Sequence, residues 1–403
     1  MPNDLPDNDF PDNKLLENHE DTNNFYDIVI IGGGIHGAGV AQACAAAGYD
    51  CLLIEKKDWA WATSSRSSKL LHGGLRYLQT GQLKLVYECL QERERLLKNA
   101  PDLAHINWFH LPIYRDSNYP PWKIFLGLTL YRLFTDFSNP HGKFRIIPRK
   151  DWATLNGLCT ENLQAVFAYQ DAQTDDKLLT QAVKNSAVEL GCDAWQPAEM
   201  LAACKNKSGW LIDIHQSNTL KTVSCQLLIN TAGPWVNDII QRCGRSQILP
   251  IELVQGTHLI LKKQISKACF YLESSDHRAV FVLPWHDKTL IGTTETTYNG
   301  NPEHTAPTEQ EIRYLLDTVR EHFPQANLDI DSQFSGLRVL PTSKTSAFFR
   351  SRDTQFINDE GLISLYGGKL TAYRVTAEKI LTLVQKRIGK RKAKADTRTL
   401  PLH

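Results

Sequence analysis

Two patterns of hydrophobic positions run along this chain. Short unbroken apolar runs, Ile28-Val29-Ile30-Ile31 and Cys51-Leu52-Leu53-Ile54, flank a stretch rich in small residues from Ala41 to Gly48. Strands buried on both faces of a doubly wound sheet have this look, so strand, tight turn, helix and strand are predicted over residues 27–55. Residues 82–99 place Leu83, Val86, Leu90, Leu96 and Leu97 on one side of a helix with charges opposite, and Pro101 stops it. Another helix is predicted from Asp175 to Leu190, followed by strands around Trp210–Ile214 and Gln226–Ile229. From residue 247 to 300 the pattern changes. Segments 257–261, 279–285 and 289–294 alternate without intervening helices, which predicts a second, mostly antiparallel sheet.

The turn after the first strand is Gly32-Gly33-Gly34-Ile35-His36-Gly37. In a dinucleotide fingerprint Gly32 allows the sharp turn, Gly34 the close approach of backbone to a pyrophosphate, and Gly37 the packing of helix on sheet. Glu55, ending the second strand, suits a ribose hydroxyl; a plain Gly-rich βαβ turn is the alternative. A hydroxyl-rich loop, Thr63-Ser64-Ser65-Arg66-Ser67-Ser68, follows where the second half of a dinucleotide needs hydrogen bonds. Two later strands repeat the motif, one running into Asn230-Thr231-Ala232-Gly233-Pro234-Trp235 and one into Gly367-Gly368. A nicotinamide enzyme normally uses one such turn per nucleotide fold; repeated returns suit FAD.

Composition narrows the rest. The chain has 403 residues, 42% of them hydrophobic, enough for two cored domains. Net charge is +1, with 45 basic and 44 acidic residues, which gives no global attraction to nucleic acid. Nine scattered cysteines lack metal-ligand or disulfide spacing, so reduced thiols, a cytoplasmic setting and no metal are expected. Residues 1–24 read as an acidic solvated tail, and 386–403 as a basic solvated tail whose other reading is attraction to anionic lipid. No run reaches transmembrane length. The stretch Tyr119–Phe134, with Trp, Phe and Leu between Lys123 and Arg132, fits a helix lying in a lipid interface or an ordinary buried helix.

The run Ser67-Ser68-Lys69-Leu70-Leu71-His72-Gly73-Gly74-Leu75-Arg76-Tyr77-Leu78 resembles the FAD-dependent glycerol-3-phosphate dehydrogenases, within the glycine-oxidase and D-amino-acid-oxidase superfamily of flavoproteins. Similarity continues through Gln255-Gly256-Thr257-His258, residues 284–295 and the segments around Arg338 and Gly367, covering roughly residues 25–380. One departure is His36, where that family more often has a small polar residue. In that family a further helical domain usually follows, and none is expected within these 403 residues.

The resemblance implies an α/β fold, a Rossmann-like FAD-binding domain with an inserted, mostly antiparallel β-sheet substrate domain. Its expected segments are 25–80, 150–235 and 350–385 for FAD and 81–149 and 236–349 for the substrate cap. FAD contacts are expected from Gly32, Gly34, Gly37, Glu55, Thr63, Ser64, Ser65, Lys69, Leu71, His72, Gly73, Gly74, Gly233, Gly367, Gly368, Lys369, Leu370 and Thr371. Oxidising a secondary alcohol needs a hydride acceptor and a base for the hydroxyl proton. His258 is the leading base, with proton transfer through Arg338 or Lys369 as the alternative. A phosphate needs fixed cations: Arg76, Arg338, Arg352, Lys369 and Arg374 qualify by type, the resemblance puts Arg76, Arg338, Arg352 and Lys369 in the family's substrate-contacting motifs, and Arg76, Tyr77 and Arg352 are the expected substrate-binding residues. The implied reaction is oxidation of glycerol 3-phosphate to dihydroxyacetone phosphate, with electrons passing to a membrane quinone. Peripheral contact with the cytoplasmic face of the inner membrane and a homodimer are compatible with it. An amine or amino-acid oxidase and a non-catalytic flavin-binding partner are the other readings.

Overall fold

A computed structural model describes residues 24–79, 81–135, 141–246, 248–342 and 353–403. The acidic stretch 1–23, Arg352 and the side chain of Arg76 lie outside the described residues.

In chain order the strands are β1 Phe25–Ile31, β2 Cys51–Ile54, β3 Leu70–Leu71, β4 Ala104–Tyr114, β5 Phe144–Ile146, β6 Leu163–Thr174, β7 Asp193–Trp195, β8 Ala198–Lys205 and β9 Trp210–Gln216. They continue as β10 Thr219–Asn230, β11 Ile251–Leu261, β12 Cys269–Glu273, β13 Ala279–Trp285, β14 Lys288–Gly292, β15 Thr296–Tyr298, β16 Ile330–Pro341, β17 Gln355–Asp359 and β18 Leu362–Tyr366. The helices are α1 Ile35–Ala46, α2 Arg76–Gln79, α3 Leu83–Asn99, α4 Pro121–Phe134, α5 Asp176–Glu189, α6 Val236–Arg242, α7 Glu309–His322 and α8 Tyr373–Ile388.

The first sheet has the order β17-β18-β10-β1-β2-β7, and β8 and β9 join it through β10. Its centre, β18-β10-β1-β2-β7, is parallel. The apolar runs of β1 and β2 are buried because each face has its own core. Ile28, Ile30 and Leu53 pack with α1, α5 and α8, while Val29, Ile31, Leu52 and Ile54 pack with Met200, Ile212, Ile214 and α6. Small residues along α1 let its neighbours approach: a Cβ on Gly39 would come within 2.6 Å of the Tyr373 ring. Asp175 starts α5 by accepting hydrogen bonds from the amides of Lys177 and Leu178 at 2.9 and 3.0 Å, which satisfies two orphan donors of the first turn.

The second sheet has the order β15-β11-β14-β13-β12-β4-β6-β3, with β16 added to β11 and β5 to β6. Every pairing in it is antiparallel except β12 with β4. Two segments depart from expectation: α6, expected in the substrate cap, packs on the first sheet, and part of the cofactor segments pairs into the second. Residues 163–174 and 70–71, assigned by pattern to the cofactor segments, lie in this sheet. The cause is the full-length pairing of β4 with β6, from Ala104 opposite Thr174 to Tyr114 opposite Leu163, a match that neither strand announces locally.

The Lys and Arg side chains of the basic tail are exposed, as expected, while a few of its bonds dock it on neighbouring helices. Residues 389–403 run across the C-terminal ends of three helices, whose last carbonyls lack intrahelical partners. The amides of Lys394 and Ala395 donate to Ala46 O at 2.7 and 3.2 Å, and the Leu402 amide donates to Asn99 O at 2.7 Å. Lys394 Nζ donates to Leu190 O at 2.6 Å, and Leu402 is 3% exposed. A cation at a helix C-terminus also complements the helix dipole.

Candidate functional site

A cavity of about 390 Å³ opens between the two sheets, in the size range of small-molecule and cofactor sites. Three glycine turns from the first sheet reach it: Gly32 and Gly34 after β1, Gly233 after β10, and Gly367 with Gly368 after β18. From the second sheet come His258 on β11, Tyr169 on β6, Tyr271 on β12, Phe281 on β13 and Arg338 on β16.

At the first turn, Gly32 has φ +106°, which favours glycine, and a Cβ there would meet Thr231 O at 2.8 Å. Gly37 does not face the cavity; a Cβ on it would overlap the Gly32 carbonyl oxygen, so its role is packing. Gly34 precedes α1 without a side-chain cap, and no acidic residue stands in the first turn. An uncapped helix start lined by glycine is a ready anion cradle, which fits a pyrophosphate. Ser64 Oγ is beside it, accepting the Ile35 amide at 2.9 Å. Glu55 is buried, and its two oxygens accept from Gly33 N at 2.7 Å, Lys57 N at 2.9 Å and Trp61 Nε1 at 3.1 Å. Burial nevertheless holds its pKa above the ordinary carboxylate value.

His36 bridges two turns: its Nε2 is 3.2 Å from Gly367 O. Donation to that carbonyl fits a neutral ring, since burial pushes its pKa down to about 4. The space this needs is made by Gly368, where a Cβ would lie 2.6 Å from the His36 ring.

On the side of the second sheet His258 Nε2 is 2.9 Å from Ser68 Oγ, and its ring stacks on Phe334 at 5.0 Å and 13°. Burial, with the cations of Arg338 and Lys69, pushes His258 down to about 3. Arg338 donates to Thr293 Oγ1 at 3.1 Å and Thr294 O at 3.3 Å, with Glu295 Oε1 at 3.3 Å. Lys369 Nζ lies 3.6 Å from the centre of the Tyr77 ring and 3.8 Å from Cys89 Sγ.

Thr63, His72, Gly74, Tyr77, Leu370 and Thr371 also line the cavity. Ser65, Lys69, Leu71 and Gly73 do not. The Ser65 hydroxyl turns back to Trp61 O at 3.2 Å. Leu71 is fully buried in a hydrophobic core, and the Gly73 amide donates to Tyr131 Oη at 2.8 Å. Lys69 is committed to a buried ion pair with Asp176 and to Ser65 O at 2.7 Å. Arg374, a candidate by type, is held by Glu92 at 2.6 and 2.7 Å and by Glu378 at 2.6 Å, away from the cavity. Arg66, Arg278 and Glu295 line the cavity without having been singled out. Glu295 follows directly on the glycine and threonines of residues 292–294, which was the available signal.

Three glycine turns after parallel strands, facing a second sheet across one cavity, define a dinucleotide-binding protein. Residues 27–374 match the family model described as FAD dependent oxidoreductase, and the chain belongs to that family. It is 36% identical over 374 residues to a glycerol-3-phosphate dehydrogenase of Pseudomonas aeruginosa, covering 89% of this chain and 72% of the relative. It is 37% identical over 368 residues to D-erythritol 1-phosphate dehydrogenase of Brucella abortus, covering 88% and 72%. Among solved structures, the glycerol-3-phosphate dehydrogenase of Bacillus halodurans complexed with FAD superposes with a TM-score of 0.74 at 26% identity, over 94% of this chain and 68% of the other. The α/β flavoprotein fold and the FAD cofactor expected from the sequence are therefore borne out.

Proposed function

We propose that this protein oxidises a phosphorylated polyol at a secondary alcohol, with glycerol 3-phosphate going to dihydroxyacetone phosphate. Bound FAD supplies the acceptor for the hydride leaving C2, at flavin N5. Gly32, Gly34, Glu55, Ser64, Gly233, Gly367 and Gly368 would hold the cofactor. In this reading the sheet of β11 to β16 covers the substrate, and Arg338, Arg76 and Arg352 take the phosphate.

One observation carries this reading: His258, Lys369, Tyr77 and Arg338 come from four separate segments yet line the same cavity as the glycine turns. Phosphate bound at Arg338 would offset a cation that depresses His258, making the imidazole a better acceptor for the hydroxyl proton as substrate binds. Lys369 is the alternative proton carrier. The D-erythritol 1-phosphate dehydrogenase similarity supports a second substrate, a four-carbon polyol phosphate, at the same site.

Quinone as electron acceptor, with docking on lipid, completes the proposal. Trp122, Phe125, Leu126 and Leu133 of α4 are 45–59% exposed, and Lys123 and Arg132 lie on the same helix. Apolar side chains between cations suit a lipid interface. No helix among the described residues is long and apolar enough to cross a membrane.

The test is anaerobic titration of purified, FAD-loaded protein with glycerol 3-phosphate, D-erythritol 1-phosphate and glycine. Bleaching of the flavin band by a polyol phosphate alone is expected. Bleaching by glycine, or a colourless protein that takes up no FAD, would overturn the reading. Quinone reduction and hydrogen peroxide measured in one assay then identify the acceptor.

A further inference from the structure

Glu311 stands in the first turn of α7, on the side of β11 away from the cavity lining. Its residue is 4% exposed, and Thr308 forms a capping box with it. A capping box needs only the N-cap residue as partner. Here four more donors converge on the carboxylate. Thr294 Oγ1 and Thr296 Oγ1 donate to Oε1 at 2.8 and 3.0 Å, while Thr257 Oγ1 and Gln255 Nε2 donate to Oε2 at 2.8 and 2.6 Å. None of these partners is a cation. Such a buried charge is tolerable only when fully hydrogen-bonded, and these bonds hold its pKa below the ordinary value despite burial.

The carboxylate also sets the direction of the bonds around it. Each hydroxyl has one hydrogen to donate. Because Thr257 gives its hydrogen to Glu311, Ser335 Oγ, 2.6 Å away on β16, must be the donor between that pair. Because Thr294 gives its hydrogen to Glu311, its oxygen is left to accept the Thr257 amide at 2.9 Å. One acceptor-only group thus fixes β11, the 293–296 turn and β16 in a single arrangement. The same turn supplies the Arg338 anchors, Thr293 Oγ1, Thr294 O and Glu295 Oε1.

We propose that Glu311 is a positioning residue for substrate recognition: acting through Thr294 and Thr257, it fixes the turn that aims the Arg338 guanidinium at the substrate's phosphate. This rests on the reading of Arg338 as a phosphate ligand. A glutamine at position 311 keeps the shape but brings donors where hydroxyls already donate, so at least one threonine must turn away and the turn loosens.

The experiment compares Glu311→Gln, Thr294→Val, Thr308→Ala and Arg338→Ala in the FAD-loaded enzyme, with glycerol 3-phosphate as substrate. Glu311→Gln is expected to raise KM at least fivefold with kcat within twofold and an unchanged flavin spectrum. Thr308→Ala removes the cap and a 3.2 Å hydroxyl bond to Oε2 but none of the links to β11 or to residues 293–296, so it should lower the melting temperature and leave KM alone. Thr294→Val removes one donor to the carboxylate together with the acceptor of the Thr257 amide, and stands in if Glu311→Gln fails to fold. An unchanged KM in Glu311→Gln, or in Thr294→Val where that stands in, overturns the proposal, as does an equal rise in Thr308→Ala. If Arg338→Ala raises KM and the Glu311 variant does not, only the positioning role fails. If Arg338→Ala leaves KM unchanged, the phosphate reading itself falls.

Discussion

The imidazole of His258 and the hydroxyl of Ser68 meet at 2.9 Å, joining a strand of the second sheet to the loop that follows the first βαβ unit. The contact lies in a buried setting where His258 is held at about 3 against an ordinary 6.5. Between those values the unfolded chain binds a proton that the folded chain does not. The stability from keeping this ring neutral is therefore complete above about pH 6.5 and lost as pH falls towards 3. Denaturant melts at several pH values should show His258→Gln with a shallower loss of stability on acidification. The difference in slope from the native protein is at most about 1.4 kcal/mol per pH unit. Equal slopes would show that the ring is not desolvated.

Arg338→Ala should cut kcat/KM for a polyol phosphate by about 10- to 100-fold, the loss of charge-assisted hydrogen bonds. The flavin absorbance spectrum should stay intact. Steady-state kinetics beside a spectrum of the same sample would settle it, and native kinetics would remove Arg338 from the site.

Lys69 and Asp176 form a buried pair, with Ser67 N and Oγ also donating to Asp176 at 2.9 and 2.6 Å. Asp176→Ala strands the ammonium and frees the loop that carries Ser68. A cost of about 3–5 kcal/mol is expected, read as a lower urea midpoint. The double variant Lys69→Met with Asp176→Ala should recover part of it.

Gly37→Ala tests the dinucleotide turn sterically. The added methyl would overlap Gly32 O and lie 2.7 Å from Thr231 Oγ1. Purified protein should carry little or no FAD, measured as the ratio of flavin to protein absorbance. A full flavin complement would show that α1 shifts freely.

The exposed face of α4 makes a separate prediction. Leu126→Glu, at a residue 57% exposed, should leave folding and flavin content unchanged while lowering co-sedimentation with anionic vesicles several-fold. Undiminished binding would exclude this helix as the lipid contact.

Much of the frame is legible from residue order. The buried runs of β1 and β2, the glycine turn between them, the helix after Asp175 and the antiparallel character of residues 247–300 follow from periodicity and backbone sterics, which act over a few residues. Sequence could also mark Gly233 and Gly367 as further returns to a cofactor. Local pattern could not say which side chains would face it. Lys69 and Arg374 carry the right charge, yet Asp176 and Glu92, more than 100 residues away, take them. The basic tail keeps its cations exposed, as its composition implies, yet the unsatisfied carbonyls of Ala46, Leu190 and Asn99 dock it. Glu311 reads as a helix cap, and only the meeting of β11, β16 and the 293–296 turn surrounds it with donors. The sequence by itself determined the βαβ cradle, because that depends on contacts close along the chain, and the class of cofactor, because each glycine turn is written locally after its own strand. The tertiary structure alone decided which cations remain beside that cradle, because charge pairing and hydrogen-bond satisfaction are settled between segments far apart in the chain.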